Sequence, residues 1–507
     1  MNTRILTLAL GVLLGALAQL SASGQEYWIS SSSSGTHAGT LANPFDGSTA
    51  TKFDTAMASL PANSTMHILG GTYQTYGGAI SGAGYLLESG QHILGAGMDI
   101  TVLQLIQTAD QCSGMQSDGV CTNIVIEDLT IDFSGSSGHA KQGIYLFGAG
   151  FTVSRVKLVN MTGAADSSWE LFPIAMFNDW GPSLHLYVPD PTPSIVSECE
   201  IVMPVPHGAS AIAISGVTNA PFSGVVRNNR IIFNDSSTAR AVDVPSFGIN
   251  ICDSDGMLVI GNYVTNAACA VYSDSGGNKN FTVSGNQFAN IVLGLSISDF
   301  RQENIVFENN NVLLTHAASP GPSGIWFWWK TNSDFRNVVI RHNRFTRDTN
   351  SIIWALDFEK GTGMSFINNS HDPGLSVNVG WPPYGIYATG TNVYGNTDLN
   401  GNYIISYSQT RPPVVRHRVS VSSSSYTALL SDKYIGIKTT ANVALTLPSA
   451  SGLAGKEIIV AKEVGAGNSV TLYCSSYVDG QTSGSLSFNG AFQGRTFVSD
   501  GSNWYSH

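Results

Sequence analysis

Three aspartates stand at the same place in three successive copies of one short pattern. The segments "GINICD" (248–253), "CAVYSD" (269–274) and "GLSISD" (294–299) alternate apolar residues with others and close on Asp253, Asp274 and Asp299. Such alternation belongs to a strand whose second and fourth residues face a core, which leaves the last residue beside the turn. On neighbouring strands the three carboxylates would stand about 4.8 Å apart from one copy to the next. Unit charges at that distance repel by roughly 3–4 kcal/mol at an effective dielectric near 20. A proton, a cation or divergence of the side chains must offset the repulsion. Calcium fits by size, because it takes several oxygens at about 2.3–2.6 Å, so Asp253, Asp274 and Asp299 are the expected metal ligands. The plain alternative is that aspartate recurs at a turn because its side chain bonds nearby backbone N–H groups.

Basic and aromatic residues continue the same face. Arg301 lies two places past Asp299, and the next copy, "GIWFWW" (324–329), sets Trp326 and Trp328 outward with Lys330 immediately beyond. The copy after it, "WALDFE" (354–359), ends on Glu359. Flat aromatic faces suit the apolar side of a sugar ring, so Trp326, Trp328 and Glu359 are expected to contact a polysaccharide.

A second repeat says what positions these residues. Asn229, Asn262, Asn286, Asn310, Asn343, Asn369 and Asn396 each hold the sixth place of a segment such as "IVFENNNVLLT" or "VVIRHNRFTRD". Their spacing of 24 to 33 residues is too short for a domain and suits one supersecondary unit that needs its neighbours. Within each unit the apolar period is two, so strands recur once per coil and stack in parallel. Asparagines at rung spacing can bond one another up and down the stack. Leu129, Val156 and Cys199 hold the same place in earlier coils, so the place points inward.

These coils, with the entry segment "YWISSSSSGTHAGTLANPFDG" and "MHILGGTY", resemble the right-handed parallel β-helix proteins of the pectin-lyase-like group over roughly residues 25–410. The resemblance implies an all-β solenoid and leaves activity to the site, since such folds carry lyases, hydrolases, tailspikes and adhesins. The Asp, Arg and Lys patch is similar to that of calcium-dependent pectate-lyase-type enzymes. That similarity implies β-elimination from a uronate: calcium on the aspartates, Arg301 on the substrate carboxylate, and Lys330 as the base. Two of the carboxylates could instead hydrolyse a glycosidic bond as an acid and base pair. The third reading is a glycan- or surface-binding rod without catalysis. The Gly-His-Gly element of polygalacturonases is missing from the sequence.

Composition sets the context. Residues 1–24 read as a secretory signal, with Arg4, the apolar run "ILTLALGVLLGALA" and small residues before Gln25, so the chain is expected outside the cytoplasm. No later stretch is long and apolar enough to span a bilayer. Acidic residues outnumber basic ones, 35 to 24, which argues against nucleic acid as a partner. Six cysteines fit an oxidising compartment, and Cys112–Cys121 and Cys252–Cys269 are the expected bridges. The coil pattern ends near residue 407, residues 408–425 read as a linker, and 426–507 alternate like a small antiparallel β domain. The stretch from "LTLPSASGLAGKEIIV" to "FVSDGSNWYSH" resembles small β modules at the ends of phage tail fibres.

Overall fold

The computed structural model describes residues 24–401 and 418–506, apart from 33–34, 78–83, 109–111, 137–139, 162–170, 179–185, 190, 204–208, 218, 235–245, 274–275, 299–300, 316–322, 329–333, 349–353, 359–360, 373, 382–385, 390–391, 430–431, 433, 452, 454–455, 464–468, 483–485 and 489–493. The chain divides into two compact units, residues 1–403 and 404–507.

The first unit is a right-handed parallel β-helix. In each of the later coils a buried asparagine joins two short strands of one sheet, as Asn343 joins Val339–Arg341 to Arg344–Arg347. A longer strand, such as Leu293–Ser298, belongs to a second parallel sheet. Inward positions stack by type: Ile249, Val271, Leu295, Ile325 and Leu356 pair in register and are all buried. Each such side chain contributes roughly 1.5–3 kcal/mol of burial. Aromatic residues also stack along the axis, Phe307 on Phe345 at 6.5 Å and Phe345 on Phe366 at 6.0 Å.

The asparagine column forms the expected ladder. Nδ2 of each donates to Oδ1 of the next, from Asn229 to Asn262 at 2.9 Å through Asn369 to Asn396 at 3.1 Å. The same Oδ1 accepts the backbone N–H of the preceding asparagine, and Nδ2 also reaches a backbone carbonyl, as Asn286 does to Val259 at 3.0 Å. The corner residue before the amide is left-handed in several coils, Asn228, Asn309, His342 and Asn368 among them. Asparagine tolerates that conformation better than most residues, which explains the doubled "NN" of several coils.

At the N-terminal end the helix Ala50–Ala58 packs Phe53 on Tyr73 at 5.0 Å and on Tyr85 at 6.0 Å. No helix among the described residues is long and apolar enough to cross a membrane.

The second unit starts differently from expectation. Arg418–Val421, Tyr434–Ile437 and Glu457–Lys462 pair in parallel, as do Ser425–Thr427, Val443–Thr446 and Val470–Tyr473. Among the described strands of this unit, antiparallel pairing enters with Leu486–Phe488, Gly494–Ser499 and Trp504–Ser506. Alternation along a strand fixes which residues are buried and leaves its direction open, so both patterns look alike in sequence. Residues 418–425, expected as linker, already supply strand residues of this unit. Its core gathers Ile435, Leu445, Val460, Leu472, Phe497 and Trp504.

Neither expected disulfide is present, since Cys121 and Cys269, one from each pair, are free thiols. Cys269 pairs with Phe247, five residues before Cys252, which puts the two cysteines about 16 Å apart along the strand direction. A bridge needs Cα atoms within about 7 Å. Cys112 and Cys121 occupy the two ends of one strand, Cys112–Thr122, and extension separates them in the same way.

Candidate functional site on the second sheet

The segments that carry the expected site residues are strands of the second sheet. Tyr145, Ala175, Ala213, Asn250, Tyr272, Ser296 and Trp326 pair successively across seven strands, with Asp357 next in register. Midway along, the Tyr272 ring stacks on Phe247 at 4.2 Å and 9°. Cys269, Val292 and Leu293 join these two rings in a buried apolar cluster, and Trp326 packs against it half-buried. Trp328 follows in the same strand and pairs with Ser298.

Asp253 terminates the strand Phe247–Cys252 in a left-handed conformation, φ 41°. Its backbone carbonyl accepts from Phe222 N–H at 3.0 Å, and its Oδ1 accepts from Gly277 N–H of the next coil at 3.0 Å. The carboxylate fits because residue 276 is glycine at φ 103°, where an added Cβ would come 2.4 Å from the Asp253 carboxyl carbon. Burial raises the Asp253 pKa and outweighs the opposing pull of the Gly277 bond. An acid that keeps its proton at higher pH than usual is thus set at the strand end.

Ile251, Ser273 and Ile297 pair across the three coils that end at the expected aspartates. Of these three carboxylates only Asp253 is described, half-buried and engaged by a backbone N–H. No group of metal-ligating side chains occurs among the described residues. Asp274, Asp299, Lys330 and Glu359 themselves lie outside the described residues.

Arg301 belongs to a different short strand, Arg301–Glu303, and its Nη2 donates to Glu303 at 2.7 Å on an exposed surface. Its charge is matched by a neighbour of its own strand, which weakens it as the partner of a substrate carboxylate.

A second aromatic group escaped the sequence reading. Tyr145 meets Phe147 at 4.5 Å and Phe177 at 5.5 Å, and Phe172 meets Phe177 at 6.0 Å, all edge to face. Its signal was present in the aligned pair "GIYLFG" and "PIAMFN", where two successive coils carry a phenylalanine at the fifth place.

No known family's sequence profile and no curated protein matches this chain. Solved structures do. The tailspike protein of E. coli bacteriophage HK620 in complex with pentasaccharide is similar over 78% of this chain and 72% of its own, at 15% identity and a TM-score of 0.51. Bacteriophage phi29 gene product 12 in its pre-mature form gives 12% identity over 85% and 65% of the two chains, with a TM-score of 0.48. The catalytic unit of a GH87 α-1,3-glucanase from Streptomyces thermodiastaticus strain HF3-3 gives 14% over 75% and 71%, at 0.43. At these identities the likeness is one of architecture, and it joins this chain to the right-handed parallel β-helices.

Proposed function

We propose that the protein is a secreted glycoside hydrolase that binds polysaccharide along the outer face of the second sheet. The observation that carries this reading is the half-buried Asp253 carboxyl, whose pKa burial raises, at the end of a strand of the second sheet. A raised carboxyl pKa is what a general acid needs to protonate a glycosidic oxygen near neutral pH. Asp299, which closes the corresponding segment two coils on in the sequence, is the partner we assign to it. In an inverting arrangement the second carboxylate takes a proton from water as the water attacks the anomeric carbon. Asp253 then gives its proton to the departing oxygen as the glycosidic bond breaks. The pentasaccharide bound by the HK620 tailspike lends support by likeness of fold alone.

The test uses the full chain on laminarin, dextran, galactomannan, polygalacturonate and alginate, scoring reducing ends and near-ultraviolet absorbance together. Hydrolysis releases reducing ends without absorbance and persists in chelator. Asp253→Asn and Asp299→Asn should each lower turnover by about a hundredfold or more while thermal unfolding stays in place. Calcium-assisted elimination through Lys330 and Arg301 would instead give an absorbing product, lost in chelator and in Lys330→Ala. Full activity in Asp253→Asn would overturn the hydrolase assignment.

A further inference from the structure

The geometry points to Asn278 as the positioning residue for Asp253, braced in turn by Ser273 and Gln302. The catalytic consequence rests on the hydrolase reading, in which Asp253 is the acid; the bracing itself does not. Its sign is a short polar insert in an apolar column. Phe222 pairs with Ser254 and Gln302 with Phe335, while Asp255 pairs with Lys279 and Lys279 with Glu303. Phe222, Ser254, Asn278, Gln302 and Phe335 therefore form one column over five coils, and all are buried. Phenylalanine closes the column at both ends, so the fold accepts an apolar side chain at this place. A buried hydroxyl or amide costs free energy unless it is hydrogen-bonded. The three polar members need a local reason, and Asp253 stands beside the first of them.

Their bonds converge on the corner that holds Asp253. Asn278 Oδ1 accepts from Ser254 N–H at 2.9 Å, and its Nδ2 donates to Ile251 O at 3.0 Å. These two groups bracket Asp253, one residue after it and two before. The other Nδ2 hydrogen goes to Ser273 Oγ at 2.9 Å, and Ser273 Oγ donates to Gln302 Oε1 at 2.7 Å. Gly277, just before Asn278, gives the N–H that reaches Asp253 Oδ1 at 3.0 Å. One dipeptide of the next coil thus grips the corner with a side chain and the carboxylate with a main-chain N–H. Asp253 needs such a grip, because residues other than glycine rarely adopt its φ of 41°.

The clamp sets how far water reaches the carboxyl. Burial raises the Asp253 pKa, and the Gly277 bond pulls the other way. Charged groups of the adjoining corners are engaged among themselves. Asp255 accepts from Asn280 Nδ2 at 2.7 Å, Arg301 pairs with Glu303 at 2.7 Å, and Lys279 stands in register between Asp255 and Glu303. Releasing the clamp opens the corner, hydrates the carboxylate and lowers its pKa toward the ordinary aspartate range.

The experiment titrates the Asp253 carboxyl by carbon-13 NMR in wild type, Asn278→Ala, Ser273→Ala and Ser273→Thr, with Asp253→Asn identifying the signal. The midpoint should fall in Asn278→Ala and fall less in Ser273→Ala. Ser273→Thr keeps the hydroxyl and adds a methyl beside Ile251 and Ile297 of its own column, so it should restore the wild-type midpoint. A folded Asn278→Ala with its midpoint unmoved or raised overturns the proposal, however much its melting temperature drops. Should Asn278→Ala fail to fold, the Ser273 pair decides: equal midpoints in Ser273→Ala and Ser273→Thr overturn the proposal. Activity is read separately. Where a polysaccharide is cleaved, the alkaline limb of kcat/KM should move to lower pH together with the midpoint. A midpoint that falls without any cleavage, or with that limb unmoved, upholds the positioning and overturns Asp253 as the acid.

Discussion

Replacing Asn286 by alanine tests how the rod is held together. Asn286 sits mid-ladder, where Oδ1 accepts from Asn262 N–H at 2.8 Å and from Asn262 Nδ2 at 3.0 Å. Its Nδ2 donates to Asn310 Oδ1 at 2.8 Å and to Val259 O at 3.0 Å. Alanine deletes these four bonds. Asn262 Nδ2 keeps Val226 O and Ile260 O, and Asn310 Oδ1 keeps the Asn286 backbone N–H. The Asn262 backbone N–H, fully buried, loses this acceptor, which costs about 1–3 kcal/mol. With the remaining three bonds at about 1 kcal/mol net apiece, the substitution should cost about 4–6 kcal/mol. A solenoid is stabilised coil by coil, so the loss should be local. Urea unfolding followed by circular dichroism reads the total, and hydrogen exchange should quicken most at Asn262. A cost below about 1 kcal/mol, or exchange that quickens evenly along the rod, would refute the account of the ladder. Asn286→Asp sharpens it: a buried carboxylate facing Asn310 Oδ1 takes a raised pKa. Its stability should be best below the ordinary carboxylate range and fall as pH rises through the raised value.

Three further outcomes follow from Asp253 and its surroundings. Burial raises its pKa, so the folded state binds the proton more tightly than the unfolded one; its favourable contribution is complete below the ordinary aspartate range and is lost as pH rises through the raised value. Asp253→Asn should flatten that part of the melting temperature against pH, and an unchanged slope would contradict the burial. Gly276→Ala places a Cβ 2.4 Å from the Asp253 carboxyl carbon at φ 103°, so a loss of about 1–3 kcal/mol and of turnover is expected, read by thermal melts and reducing-end release. Thiol labelling under denaturing conditions without reductant should modify Cys121 and Cys269, since both are free.

The ladder was legible because one amide marks each coil, and a side chain whose only useful partners are its own copies cannot drift in register. The second sheet was harder. Gly248, Gly294 and Gly324 share a place where an added Cβ would come 2.5 to 2.6 Å from a carbonyl of the next coil, so a small residue anchors that column. Ala270 and Ala355 fill it in the intervening coils, one place after Cys269 and Trp354, with which those segments were taken to begin. Anchoring on the small residue shifts those two segments by one place. The expected disulfides failed for a related reason: nearness in sequence or in coil number says nothing of displacement along a strand. The Asp253 bond to Gly277 N–H shows why a turn aspartate is ambiguous, since one side chain can brace a corner and still hold a proton in reserve.

The ladder that runs from Asn229 to Asn396 contains no ionisable group. Brine cannot screen it and mild acid cannot titrate it, whereas surface ion pairs such as Arg341 with Glu308 add little in any medium. A wall of strands mounted on such a spine keeps its shape through wide swings in salinity and acidity.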